Sequence, residues 1–547
     1  MTEHYLKLLL VLTVWLLWRS LRSAIVRCRV NLPGPRSAHL IFGNLKQFFD
    51  PNHGVSFHER LASYGTAVKI HGICGDEQIY ISDPRALHHI LVKEADMFEA
   101  SNMFIQNNRL MFGYGLLSTC GARHKRQRKM LNPAFSAKHL RSLTPLFHNI
   151  TKELRSKLEE KLAKKDDVSV DIFGWMSRVS LEIVGQAGMG YSFEVFDENV
   201  HNEYADCLRH LLPTLFTLKP YLQFIPLTVK LGPPAFRRFL INLLPSRRIK
   251  RLKEIVDRMD RASRRILELR KHAVKQGGDT VLKQVGDGKD IMSVLRSGQQ
   301  SQDVDNTLPE NELLAQITRV DVKTLTFAAN DTTSSAMSRI LHVLSLHPEA
   351  QDKLRDEVKS LKSDPDETSY DNVMALPYLD AVCRETLRLY PPAPFVQRTA
   401  LREHVVPLMY PVKGSDGSTI NEIPIAANQG IFVGIVAINK HRDVWGPDAE
   451  EWKPERWLNT LPSSVLDARI PGVYPHILTF MAGNRACIGF KFSELEMKIV
   501  IALLIQKFQF SPSDNEEIIW RMGSIQTPST RGRDGQGPYL PMKVSMV

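Results

Sequence analysis

Cys487 lies between Gly483 and Gly489 in the run Phe480-Met481-Ala482-Gly483-Asn484-Arg485-Ala486-Cys487-Ile488-Gly489. A thiolate is a strong, soft ligand for iron, tuned by what surrounds the sulfur. The flanking glycines allow a tight turn against a flat cofactor and let backbone N–H groups point at the sulfur. Arg485 offers a planar fork of donors suited to a carboxylate. A second cluster is Phe327-Ala328-Ala329-Asn330-Asp331-Thr332-Thr333, whose polar members are poor residues for a helix interior. The Thr332 hydroxyl can take the carbonyl of Ala328, four residues back, and bend or open the helix. Small side chains at Ala328 and Ala329 leave room for a flat cofactor with dioxygen above it. Thr332 would then hydrogen-bond the dioxygen and Asp331 would relay protons. Glu385 and Arg388, three apart on one helix face, form a third pair; on a surface it would be worth only about 0–1 kcal/mol.

These residues need particular elements to position them. A long helix is predicted from Pro309-Glu310-Asn311-Glu312 to about Leu346, with apolar positions at Leu313, Leu314, Ile317, Val320 and Leu325. Residues 370–389 read as helix, stopped by Pro391 and Pro392. An apolar helix follows Cys487 over 488–508. Residues 67–73 and 77–81 read as a hairpin, 98–115 as an aromatic, polar loop, and 423–437 as strands and turns. The expected fold is mainly α with small sheets confined to the ends. The apolar, proline-rich stretch 208–244 reads either as buried core or as a mobile lid.

Composition narrows the function. The 547 residues contain no low-complexity divider, so one large domain over 31–547 is expected behind a leader over 1–30. Apolar residues make up 43% and charged residues 24%, ordinary for a globular chain. The net charge of +12 is interleaved with acids, which argues for solvated helix faces and against nucleic acid. The six cysteines include no Cys-x-x-Cys pair, and nothing requires disulfides. No GxGxxG-type dinucleotide motif is present. In the leader, residues 8–18 form an apolar run, preceded by Glu3 and followed by Arg19, Arg22, Arg27 and Arg29. That pattern predicts a single-pass anchor with the domain on the cytosolic side, with a cleaved signal peptide as the rival reading. Pro33-Gly34-Pro35 then makes a stiff hinge.

The spacing Phe-x-x-Gly-x-Arg-x-Cys-x-Gly resembles the haem-binding loop of the cytochrome P-450 family. The resemblance covers roughly residues 31–520 and is similar to membrane-bound microsomal, fungal members. It implies a cytochrome P-450 fold holding haem b (iron-protoporphyrin IX), with Cys487 as axial iron ligand and Phe480, Gly483, Arg485 and Gly489 around it. The oxygen-activating pattern Ala-Gly-x-Asp/Glu-Thr-Thr/Ser is matched through Asp331 and Thr332, except that Ala329 replaces glycine. Glu385 and Arg388, with Arg456 of Lys453-Pro454-Glu455-Arg456-Trp457, match a buried structural network beneath the haem. Arg398 corresponds to a propionate-binding arginine. Arg128 and His124 fall where relatives carry the arginine and tryptophan of Trp-x-x-x-Arg, so the tryptophan contact is replaced. The implied activity is monooxygenation of an apolar small molecule, such as a terpenoid or other secondary metabolite. Electrons would come from NADPH through a separate NADPH-cytochrome reductase, with cytochrome b5 as a second donor. The implied location is the endoplasmic reticulum membrane, in contact with lipid. Reductase-independent rearrangement or peroxygenase chemistry, and a non-enzymatic haem sensor, are the alternatives.

Overall fold

The computed structural model describes residues 11–15, 18, 31–163, 168–197, 202–276, 290–291, 321–361, 368–514, 516–533 and 535–547. The strands are β1 (Ala67–His71), β2 (Glu77–Ile81), β3 (Phe98–Ala100), β4 (Val168–Asp171), β5 (Phe395–Ala400), β6 (His404–Lys413), β7 (Thr419–Ile425), β8 (Gly430–Gly434), β9 (Phe508–Pro512), β10 (Ile518–Arg521), β11 (Thr527–Thr530) and β12 (Pro541–Met546). The helices that position the site are α1 (Asn102–Phe112), α2 (Gly121–Leu131), α3 (Ala137–Leu162), α4 (Ile172–Ile183), α5 (Glu203–Thr217), α6 (Asp321–Leu346), α7 (Pro377–Leu389) and α8 (Phe490–Lys507).

Helix α8 is apolar on nearly every side, and such a helix is stable only when surrounded. It runs through the core, with Leu495, Ile499, Val500, Ile501, Leu504 and Ile505 fully covered. Helix α3 lays one apolar stripe against it, Leu140, Leu143, Phe147, Ile150, Leu154 and Leu158. The rings of Phe147 and Phe492 meet at 4.9 Å. Helix α6 crosses the same core, and Thr333 Oγ1 donates to Ser493 Oγ at 3.4 Å, tying α6 to the first turn of α8.

Four small sheets sit around the helices. The largest has the order β1-β2-β8-β5-β3 and another the order β4-β12-β9; β6-β7 and β10-β11 are two-stranded. The predicted hairpin is present, with Ala67 opposite Ile81. Strand β2 is buried along its whole length and pairs in parallel with β8, as a strand covered on both faces does.

Three sequence expectations need correction. The strands are not confined to the chain ends, since β4 and β5–β8 lie inside it. Residues 98–115 are not a loop, because they form β3 and then α1. Ser101 Oγ accepts the Phe104 N–H at 3.3 Å and starts that helix. Its buried face mixes Asn107 and Asn108 with Met103, Ile105, Met111 and Phe112, which hid the helical period.

The third correction concerns the leader. No described helix is long and apolar enough to cross a membrane, so the predicted transmembrane anchor and the single-pass endoplasmic-reticulum placement are not supported. The physical reason is length. The apolar run of eleven residues reaches roughly 16 Å at 1.5 Å per residue, about half of a ~30 Å hydrocarbon core. Most of residues 1–30, and the predicted helix start at Pro309, lie outside the described residues.

The stretch 208–244 divides. Leu208, Leu211, Leu212 and Leu215 of α5 are core. Beyond them come short helices and their connections, which expose Leu231, Phe236, Phe239 and Leu243.

Candidate active site

The Cys487 loop is held from below. Glu385 and Arg388, on α7, are fully buried and joined by two bonds, Nε to Oε2 at 2.8 Å and Nη2 to Oε1 at 2.7 Å. Glu385 also accepts the Trp457 indole N–H at 2.9 Å and the Lys453 N–H at 3.1 Å. Arg456 Nε approaches it at 3.5 Å and bonds Asp448 as well. Arg388 Nη1 donates to the carbonyls of Ala449, at 2.6 Å, and Asn439, at 2.9 Å. The Asn439 side chain accepts the Leu478 N–H at 2.8 Å and donates to Thr479 Oγ1 at 3.0 Å. The network therefore runs from α7 to the residues just before Phe480. All its donors and acceptors are paired, which a buried ion pair needs to offset its desolvation.

Above this base the chain turns sharply. Cys487 N donates to the Phe480 carbonyl at 2.8 Å. Gly483 has φ +65°, and a Cβ there would stand 1.8 Å from the Leu91 carbonyl oxygen, so only glycine fits. Met481 holds φ +62° without that freedom, a costly backbone for a large side chain. A Cβ at Gly489, in contrast, would meet only Phe135, at 3.8 Å. Space is open on that side of the loop. Cys487 is exposed on this side of the loop. Desolvation by the surrounding protein pushes its pKa up, while the Gly489 N–H and the Arg128 charge pull it back down.

Cationic side chains gather beside the thiol. Arg128 Nη1, from α2, donates to the Ala486 carbonyl at 2.5 Å. Arg398, on β5, is buried, and burial followed by the nearby Arg485 lowers its pKa to about 10. His124, also buried, is lowered to about 4 by burial and then by Arg485, with Arg128 and Arg398 contributing. The acid facing this group is Glu99 of β3, which accepts from Arg485 Nη2 at 2.5 Å and Nε at 3.0 Å. Arg485 thus grips a carboxylate, but one supplied by the protein.

The residues fit haem on three observations. Cys487 is accessible, the loop is open beside Gly489, and positive charge exceeds the single carboxylate of Glu99 where two propionates would need partners.

On α6 the Thr332 hydroxyl donates to the Ala328 carbonyl at 2.7 Å. The helix remains α-helical through residues 328–332, so the turn is not opened. Asp331 is buried, and its carboxylate accepts from the Asn330 amide at 2.9 Å. Burial raises its pKa to about 7, against the opposing pull of Asn330. The rings of Phe327 and Phe112 meet at 4.7 Å and carry α1 onto α6.

Sequence reading missed Glu99, Asn439 and Trp457, which make long-range contacts without a local signature. It also missed Glu496, a fully buried acid on α8 whose pKa burial raises to about 8, opposed by Ser180. A lone pair of acids in an apolar helix was the available signal.

A family model described as Cytochrome P450 matches residues 32–531. The chain is 44% identical over 536 residues to Cytochrome P450 monooxygenase 91 of Postia placenta, covering 98% of this chain and 97% of the relative. It is 42% identical over 539 residues to Cytochrome P450 monooxygenase 212 of the same fungus, covering 97% and 96%. It is 37% identical over 540 residues to Ganoderic acid synthetase CYP5150L8 of Ganoderma lucidum, covering 97% of both chains.

Proposed function

This chain belongs to the cytochrome P450 family and is an oxidoreductase of the monooxygenase kind, and on that premise we propose that it oxygenates an apolar small molecule through haem ligated by Cys487. The substrate we propose is a secondary metabolite of terpenoid class. Its support is the similarity to a relative named for ganoderic acid. The electron source we propose is NADPH through a separate reductase, with cytochrome b5 as a second donor. We treat 31–547 as one haem domain. The observation that carries the reading is the accessible Cys487 in its glycine loop, with Arg128 bonded to the adjoining Ala486 carbonyl and Arg398 and Arg485 close by.

Bound haem supplies the activation of dioxygen, one atom of which enters the substrate while the other leaves as water. The protein residues hold, orient and protonate. Phe480, Gly483 and Gly489 shape the loop around the thiol, and Arg128, Arg398, His124 and, on exchanging its Glu99 partner, Arg485 would hold the propionates. Glu385, Arg388 and Arg456 keep the loop in register. Thr332 offers a hydroxyl that can leave its Ala328 carbonyl bond at low cost, since a neutral hydrogen bond is worth only about 0.5–1.5 kcal/mol net. With a pKa near 7, Asp331 is roughly half protonated at neutral pH and serves as the proton store.

Reconstitution with a reductase, NADPH and ¹⁸O₂ tests the activity: one labelled atom per product is expected, and unlabelled product would refute monooxygenation. Thr332→Ala should keep haem and substrate binding but release peroxide in place of product, because the donor at the oxygen site is gone. Normal product yield per NADPH in that variant would reject the assignment and favour peroxygenase or rearrangement chemistry.

Asp331 gives a pH signature. A carboxyl whose folded pKa is raised disfavours the fold as pH rises from about 4 to 7, and it loses its proton above about 7. Turnover should fall as pH rises through that region, and Asp331→Asn should be slower and lack that limb. A limb unchanged in Asp331→Asn would assign the titration to another group.

A further inference from the structure

Apart from the Cys487 loop, His89, Glu94 and His404 each bring one potential ligand atom to within 4.8 Å of the others. The two imidazoles already touch, Nε2 to Nε2 at 2.8 Å. At that distance one nitrogen donates its proton and the other accepts, so at most one ring is charged. Burial, and then the adjacent His404, lowers the His89 pKa below the usual histidine value.

The fold builds this juxtaposition from residues far apart in sequence. Asp83 accepts the Ala86 N–H at 3.0 Å and starts the turn at Pro84. The same carboxylate accepts the Met409 and Tyr410 N–H groups of β6, each at 2.9 Å. The segment from Pro84 onward is thereby pinned along β6, with His404 at the start of that strand. Residues His89–Lys93 form a π-turn, closed by the Glu94 N–H on the His89 carbonyl at 2.9 Å. The widened turn returns Glu94 to the side of His89. Such turns are rare and costly unless tertiary contacts repay them. Phe98 sets its edge against the His404 ring, 5.9 Å between centroids.

We propose that His89, Glu94 and His404 form a site for a zinc-class divalent transition ion, with the fourth position open to water. Two imidazoles and one carboxylate suit zinc and its neighbours, whereas magnesium and calcium call for oxygen alone. Bonds of about 2.0–2.1 Å in a tetrahedron place the two nitrogens about 3.3 Å apart, so each ring has only a small shift to make. The ring that carries its proton on Nε2 moves it through solvent to Nδ1, leaving both Nε2 lone pairs for the ion; no electron transfer is involved. Glu94 and His404 are partly exposed while His89 is nearly buried behind them, so an ion reaches the site from the side of Glu94 and His404. Lys93 opposes the ion and Glu94 favours it. The same turn supplies the Leu91 carbonyl against which Gly483 packs, so an ion here stiffens a wall of the Cys487 loop.

The test is a zinc titration of the full haem-loaded chain, without a histidine tag and after chelator treatment, in competition with a chromophoric chelator. One zinc per chain is expected, bound at least tenfold more tightly than by His404→Ala, with Glu94→Gln in between and no displacement by excess magnesium. Equal binding by wild type and His404→Ala, or displacement by magnesium, overturns the site. If His404→Ala does not fold, the partly exposed Glu94→Gln carries the comparison, and unchanged affinity in it is equally fatal.

Discussion

Cys487→Ser removes the red-shifted Soret band of the ferrous–CO complex and all product formation. The thiolate is the donor whose electron density favours O–O cleavage, and no other described cysteine can replace it. Cys74 lies in the turn between β1 and β2, Cys207 and Cys383 are buried, with pKa values raised to about 11 and about 12 by burial, and Cys120 faces Glu99 and Arg485. A serine hydroxyl is isosteric enough to leave the loop folded, because the Cys487 N–H bond to Phe480 is made by backbone. Folding can therefore be scored separately by circular dichroism. A surviving red-shifted band in the folded variant would remove Cys487 as the axial ligand. Cys487→His should behave in the same way, since imidazole ligates iron without thiolate character.

Glu385→Ala is expected to cost about 3–5 kcal/mol, the usual consequence of stranding a buried charge. The loss falls on several groups at once: Arg388 keeps its charge without its carboxylate, and the Trp457 indole and the Lys453 N–H lose an acceptor. Against a domain stability of roughly 5–15 kcal/mol this is a large fraction. Little haem-loaded protein should be recovered, and what is recovered should melt earlier. Because Arg388 and Asn439 hand the network on to Leu478 and Thr479, haem retention should fall together with the melting temperature. Stable, haem-replete, active Glu385→Ala protein would show that the network is dispensable.

These two sites differ in how legible they were. The Cys487 loop is one unbroken motif, and its requirement for glycine is local, so its residues could be read directly. Glu385 and Arg388 by themselves look like an ordinary surface pair. Only the family resemblance, which brought Arg456 beside them, suggested burial; Trp457, Lys453 and Asn439 emerged from the fold alone. The leader was read as an anchor from the arginines that follow its apolar run, although that run is shorter than a hydrocarbon core. Residues 98–115 were misread because a helix that buries asparagines lacks the apolar period. The widened turn expected near Thr332 rested on the poor helix propensity of Asn330 to Thr333. Tertiary packing overrides such a preference, since Asn330, Asp331 and Thr333 are all buried where α6 crosses the core.

The sheet β4-β12-β9 bears on how the molecule is made. Strand β12 lies in the middle, with Val544 opposite Val168 on one side and Phe510 on the other. It leaves the ribosome after both strands it joins. Until then β4 emerges beside α4, and later β9 beside α8, each with an unsatisfied edge. Helix α4 packs on α6, with Ser180 Oγ donating to the Ala329 carbonyl at 3.4 Å, and α8 follows the Cys487 loop directly, so these elements stay loosely joined until β12 arrives. The nascent chain is thus most open to cofactor, and to aggregation, in the interval before β12 appears. A stalled ribosome-bound chain ending near residue 535 should be more protease-sensitive at β4 than one whose β12 has cleared the exit tunnel.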